Sequence, residues 1–194
     1  MALLSRWTVL AVLVPPVVIG LIGTTHPPHL TQDASGYWRD LHVVLLPLFP
    51  LLGIGPWLVA RAVDPLYGRI TLVLGYVYAC FYSALDILAG IAAGALKYDR
   101  EGGLGTVFRY ASDLGEVGSV AYIGATAAAA GCLLRIAGPR ILVGAVVALG
   151  GAYGFMQEHI YWPGGVLSMA AIAAGWVLML LVARGAQRPS SSLP

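Results

Sequence analysis

Six apolar runs, each long enough to cross a lipid bilayer, constrain this chain more than any other feature. They are expected at Trp7–Gly23, Leu41–Ala60, Ile70–Leu96, Glu116–Leu134, Ile141–Met156 and Val166–Ala183. The hydrocarbon core of a bilayer is about 30 Å thick and takes roughly 20 residues of helix to cross. In that medium a backbone must satisfy its own hydrogen bonds. The fold class predicted is therefore all-α, a polytopic bundle of about six transmembrane helices. Residues 1–184 are expected to form one transmembrane domain, and 185–194, polar and rich in Ser and Pro, a short disordered tail.

Composition agrees. Of 194 residues, 59% are hydrophobic and only 10% charged, against about 25% charged in soluble domains. A net charge of +2 without basic runs or interleaved aromatics argues against nucleic acid as a partner. The bilayer itself is the first partner expected. Lys97 is the one lysine among eleven cationic residues, and Ala and Gly abound. This bias accompanies GC-rich bacterial genomes, so a bacterial plasma membrane is the expected location.

No small-x-small cleavage site follows the first run, which predicts an uncleaved helix. Pro15 and Pro16 fall inside it, and Pro47, Pro50 and Pro56 interrupt the second run. Lys97–Leu114 reads as a polar loop, with Gly102, Gly103 and Gly105 as loop residues. Cys80 and Cys132 fall inside spans and are expected as free thiols.

Orientation follows from the arginines. With both termini cytoplasmic, the inner segments carry Arg6, Arg61, Arg69, Arg135, Arg140, Arg184 and Arg188, and the outer ones carry Arg39, Lys97, Arg100 and Arg109. Seven against four satisfies the positive-inside rule.

That topology gathers the ionisable residues on one side. His26, His29 and His42 lie at the outer ends of the first two spans, and His159 beside Glu158 at the outer end of the fifth. Glu116 opens the fourth span from the same side, with Ser112 as a candidate cap, and Asp86 lies a few turns inside the third. Imidazole and carboxylate are the ligands used by Zn, Cu and Fe sites. His26, His29, His42, His159 and Glu158 are thus candidate metal ligands, and Asp86 and Glu116 candidate catalytic carboxylates. HExxH and CxxC are both absent.

Geometry decides which histidines can cooperate. In His26-Pro27-Pro28-His29 a polyproline conformation holds the two rings about 9 Å apart. A helical turn brings their Cβ atoms to about 5–6 Å, and only this allows joint chelation. Asp86 continues a helical stripe with Tyr78 and Tyr82, with Ser83 beside it. The stripe suits a ligand or general base, or a hydrogen bond that locks neighbouring helices. Tyr37, Trp38 and Arg39, like Tyr161 and Trp162, read as interfacial anchors, and Thr31 as the cap of a short helix entering the second span.

Three functional readings follow. One is a transition-metal site at the outer face, in a metal-dependent enzyme acting on a lipid-soluble substrate or in a metal-handling protein. A second is haem held by two histidines for electron transfer. The third is an accessory subunit whose polar outer face docks a membrane protein partner. Convergence of the histidines in the fold separates the metal readings from the last.

Overall fold

The computed structural model describes residues 5–186, and the described residues are helical apart from short turns and one longer connection over 24–34. Helix α1 spans Arg6–Gly23, α2 Ser35–Leu45, α3 Phe49–Arg61 and α4 Pro65–Leu85. A π-helical segment, Asp86–Ala92, joins α4 to α5, Ala93–Tyr98. Then follow α6 (Leu104–Ala137), α7 (Ile141–Glu158) and α8 (Gly164–Ala186). Joined end to end where they continue one another, these make six helices long and apolar enough to cross a membrane. Gly185 and Ala186, expected in the tail, continue α8; the rest of that tail, 187–194, lies outside the described residues.

Each punctuation mark in the sequence has a local cause. Pro47 lies in the three-residue turn that divides the second span into α2 and α3. Pro50 then sits at the start of α3, where a missing N–H costs nothing. Asp64 caps α4, its carboxylate accepting the Leu66 and Tyr67 amides at 2.8 and 3.2 Å. Thr31 accepts the Ala34 amide at 3.2 Å in the turn before α2.

The loop expected over Lys97–Leu114 is much shorter. The π-helical segment and α5 carry the third span to Tyr98, and helix resumes at Leu104. At 34 residues α6 is about 51 Å long, well beyond the hydrocarbon thickness. Its polar first turns remain helical because Ala111, Gly115, Gly118 and Ser119 keep an inward face while Arg109, Asp113 and Glu116 point outward. Hydropathy alone hides such a helix. Ser112 consequently caps nothing: it lies mid-helix, donating to the Phe108 carbonyl at 2.9 Å.

The bundle packs α7 along α8, α4 between α3 and α6, and α1 against α8 and α3. Small residues at the contacts let the helix backbones approach closely. Gly175 shows how close: a Cβ there would overlap the Ala148 backbone of α7. Both cysteines are free thiols.

Candidate metal centre

Helix α1 ends where Thr24 and Thr25 turn their hydroxyls back onto the Leu21 and Ile22 carbonyls, at 2.7 and 2.8 Å. Pro27 disfavours helix for the residue before it, so His26 lies beyond the helix, its ring turned inward to 5% exposure. Pro27, Pro28 and His29 are not helical, and His29 is exposed. The turn needed for joint chelation by His26 and His29 is therefore not formed.

What meets His26 is His42, from the interior of α2 and 2% exposed. The two Nε2 atoms are 3.4 Å apart. His159, the residue after α7, completes the group. The three imidazoles offer ligand atoms that all lie within 4.8 Å of one another. Their ring centroids are separated by 5.0 Å (26 to 42), 5.8 Å (26 to 159) and 6.1 Å (42 to 159).

The other nitrogen of each ring is held by the protein. His26 Nδ1 lies 2.8 Å from the Pro27 carbonyl and His42 Nδ1 2.7 Å from the Trp38 carbonyl. A carbonyl only accepts, so both rings donate there from Nδ1–H and keep a bare lone pair on Nε2. His159 Nδ1 is 2.6 Å from the Tyr82 hydroxyl. Ring nitrogens anchored on one side and free on the other are the usual arrangement of metal-binding histidine.

His159 is also held in an uncommon backbone conformation, φ 51° and ψ −128°. For a residue with a Cβ this costs on the order of 1–3 kcal/mol and persists only where the surroundings impose it. Burial holds His26 below the ordinary imidazole pKa. Burial, then the neighbouring His42 and His26, holds His159 well below it. Neutral rings are the form that binds metal.

Trp38 faces inward at 2% exposure, unlike the interfacial anchor its sequence context suggests. It stacks on His42 with centroids 5.3 Å apart, and its indole N–H donates to the Ala89 carbonyl at 2.9 Å. That carbonyl belongs to the π-helical segment, where the ordinary ladder is interrupted. In the same segment Gly90 lies directly against His42, and a Cβ there would overlap the imidazole. Tyr161 closes the group from the other side, 4.6 Å from the His26 ring centroid. Trp162 is exposed.

The remaining sequence candidates surround this group. Glu116 and Glu158 are exposed and border a cavity of about 430 Å³, whose wall also includes His159, Tyr82, Ser112 and Ser119. A smaller void of about 150 Å³ touches His42, His159 and Trp38. Asp86 is fully buried, and neither of its oxygens has a hydrogen-bond partner. The helix-locking bond that its position suggested is not made.

Tyr82, Trp38 and Gly90 are the contributors that sequence reasoning missed in these roles. Tyr82 carried a signal, as a member of the stripe that ends at Asp86. Comparison with known proteins adds no family: no family model, curated protein or solved structure matches this chain.

Proposed function

We propose that this chain is a membrane metalloprotein in which His26, His42 and His159 hold one transition-metal ion, and that the ion serves hydrolysis of an amphiphilic substrate. One observation carries the reading. Two imidazoles, each tied at Nδ1 to a carbonyl, turn bare Nε2 lone pairs toward each other at 3.4 Å. Such nitrogens repel unless a cation or proton lies between them. In a tetrahedral site with metal–nitrogen bonds of 2.0–2.1 Å, adjacent ligands are about 3.3–3.4 Å apart.

Three neutral imidazoles suit zinc, copper or iron. They also leave a fourth position, the mark of a catalytic rather than a structural zinc site. Held there, an ion would supply Lewis acidity to lower the pKa of a bound water and to polarise a substrate carbonyl. The cavity beside His159 supplies the space, with Leu85, Phe155 and Met156 as an apolar wall and Glu116 and Glu158 at its border. No lysine or arginine lines it, so it suits a substrate with an uncharged or cationic head better than an anionic one. The arginine bias supports cytoplasmic termini, and with that orientation the proposed centre faces outward from a bacterial plasma membrane. Convergence of three histidines favours the metal reading over a docking face.

Elemental analysis and an optical spectrum of the detergent-purified protein test this. One metal ion per chain in the wild type, lost in the His42→Ala/His159→Ala double variant, is the expected result. A Soret band would replace the single ion with haem. A wild type that stays metal-free after incubation with zinc, copper or iron overturns the proposal.

A further inference from the structure

Asp86 is a fully buried carboxyl group without a hydrogen-bond partner among the described residues. A carboxylate at membrane depth is costly and normally faces a partner, and buried polar groups without a partner in native proteins call for an unseen water or ion. Both oxygens of Asp86 are buried and unpartnered. Its neighbours along the helix say what it serves.

Tyr82, Asp86 and Gly90 are spaced by four and share the inward face of the continuous α4–π helix, all three buried. Tyr82 touches one member of the histidine group, its hydroxyl 2.6 Å from His159 Nδ1. Gly90 lies against another, the His42 ring. Asp86 sits between these two contacts. It is not itself within ligand distance of the three imidazoles.

The proton count at Tyr82 points the same way. When His159 binds a metal through Nε2, its Nδ1 carries hydrogen and donates to the Tyr82 oxygen. The tyrosine's own O–H then needs an acceptor, because buried Tyr hydroxyls are rarely left unpaired. The unpartnered carboxylate of Asp86 lies one turn further along the same buried face. No direct bond joins them, so a link between them requires a bridging water.

Building on the metal reading above, we infer that Asp86 is the terminal acceptor of a relay running from His159 through Tyr82 and one water. It acts as a positioning residue that orients His159 and raises its strength as a ligand. Carboxylate–histidine–metal arrangements work in this way, and loss of the outer partner costs 10–100-fold in metal affinity. Here a tyrosine and a water are interposed.

The test is a double-mutant cycle on the full chain in detergent, with zinc as the probe and affinity measured by chelator competition. Wild type, Asp86→Asn, Tyr82→Phe and the double variant are compared. Each single change is expected to weaken zinc at least tenfold, and the double variant no more than the weaker-binding single, because both cut the same relay. Zinc-free Asp86→Asn should unfold at or above the wild-type temperature, since the carboxyl group it replaces has no hydrogen-bond partner to lose. A purely structural Asp86 predicts the opposite. Should Asp86→Asn not fold, Asp86→Ser, which leaves room for the water, takes its place in the cycle, and failure of both to fold overturns the relay. Unchanged zinc affinity in Asp86→Asn, or effects that multiply in the double variant, also overturn it while leaving the centre intact. A wild type that binds no zinc, copper or iron removes the centre itself, and the relay with it.

Discussion

His26 and His42 meet Nε2 to Nε2 at 3.4 Å, each with its opposite nitrogen committed to a backbone carbonyl. The two carbonyls arise from local rules. One belongs to a proline that ended a helix, and the other lies one turn earlier on the ring's own helix. The tautomers are therefore fixed by the backbone before any ligand arrives, and the pair is preorganised for a cation.

Single replacements should show which imidazoles belong to the centre. His26→Ala, His42→Ala and His159→Ala are each expected to lower zinc affinity by a factor of 100 or more, read by chelator competition. His29→Ala should bind as the wild type does, since His29 is exposed and outside the group. Equal losses from all four would contradict the three-histidine centre.

Gly90 provides a test that removes no ligand. An alanine methyl there would overlap the His42 ring, and overpacking of this kind costs typically about 1–3 kcal/mol. Gly90→Ala is expected to lower the unfolding temperature in detergent and to reduce metal content. Gly102→Ala, whose Cβ would meet nothing within 4 Å, should change neither. Full metal occupancy in Gly90→Ala would show that His42 is free to move.

The sequence made some of this legible and concealed the rest. Length and hydropathy marked the six helices long and apolar enough to cross a membrane, because each residue carries that signal by itself. The topology expected from the arginine bias gathered His26, His42 and His159 at one end. It could not separate His26 from His29, because that depended on whether two prolines opened a helix or prevented one. Trp38 sits beside Tyr37 in sequence, yet one is buried and the other exposed; helical rotation decides that, and composition does not. The π-helical segment has no hydropathy signature at all. Its consequences, the Ala89 carbonyl offered to Trp38 and the flat surface at Gly90, exist only once α2 lies against it.

Acid sensitivity at the opposite end of the bundle should trace to Asp64. Hydrogen bonds from the Tyr67 and Leu66 amides, aided by Arg135 at 3.1 Å, hold its pKa below the ordinary 3.8. A carboxylate lowered on folding contributes stability that is present above the ordinary value and is lost as pH falls through the lowered one. Asp64→Asn, which can still cap the helix, should match the wild type near neutrality and lack that acid-dependent loss. Asp64→Ala should unfold at a lower temperature throughout. Thermal unfolding of the three proteins from neutral pH downward checks this, and identical acid profiles would assign the sensitivity elsewhere.

The cavity makes a prediction about charge that is independent of any particular substrate. Glu116 and Glu158 border it and no cationic side chain does, while the wall at Leu85, Phe155 and Met156 suits an alkyl chain. Two single-chain fluorescent amphiphiles of equal length, one with a quaternary ammonium head and one with a sulfonate, should therefore bind the zinc-loaded protein unequally. The cationic probe is expected to bind roughly tenfold more tightly, about 1.4 kcal/mol, and the difference should shrink as salt screens the exposed carboxylates. Glu116→Lys/Glu158→Lys should reverse the preference and leave metal content unchanged, because neither residue belongs to the histidine group. A preference that survives the double reversal would mean that the probes bind outside this cavity, and the substrate site would have to be sought on another face of the bundle.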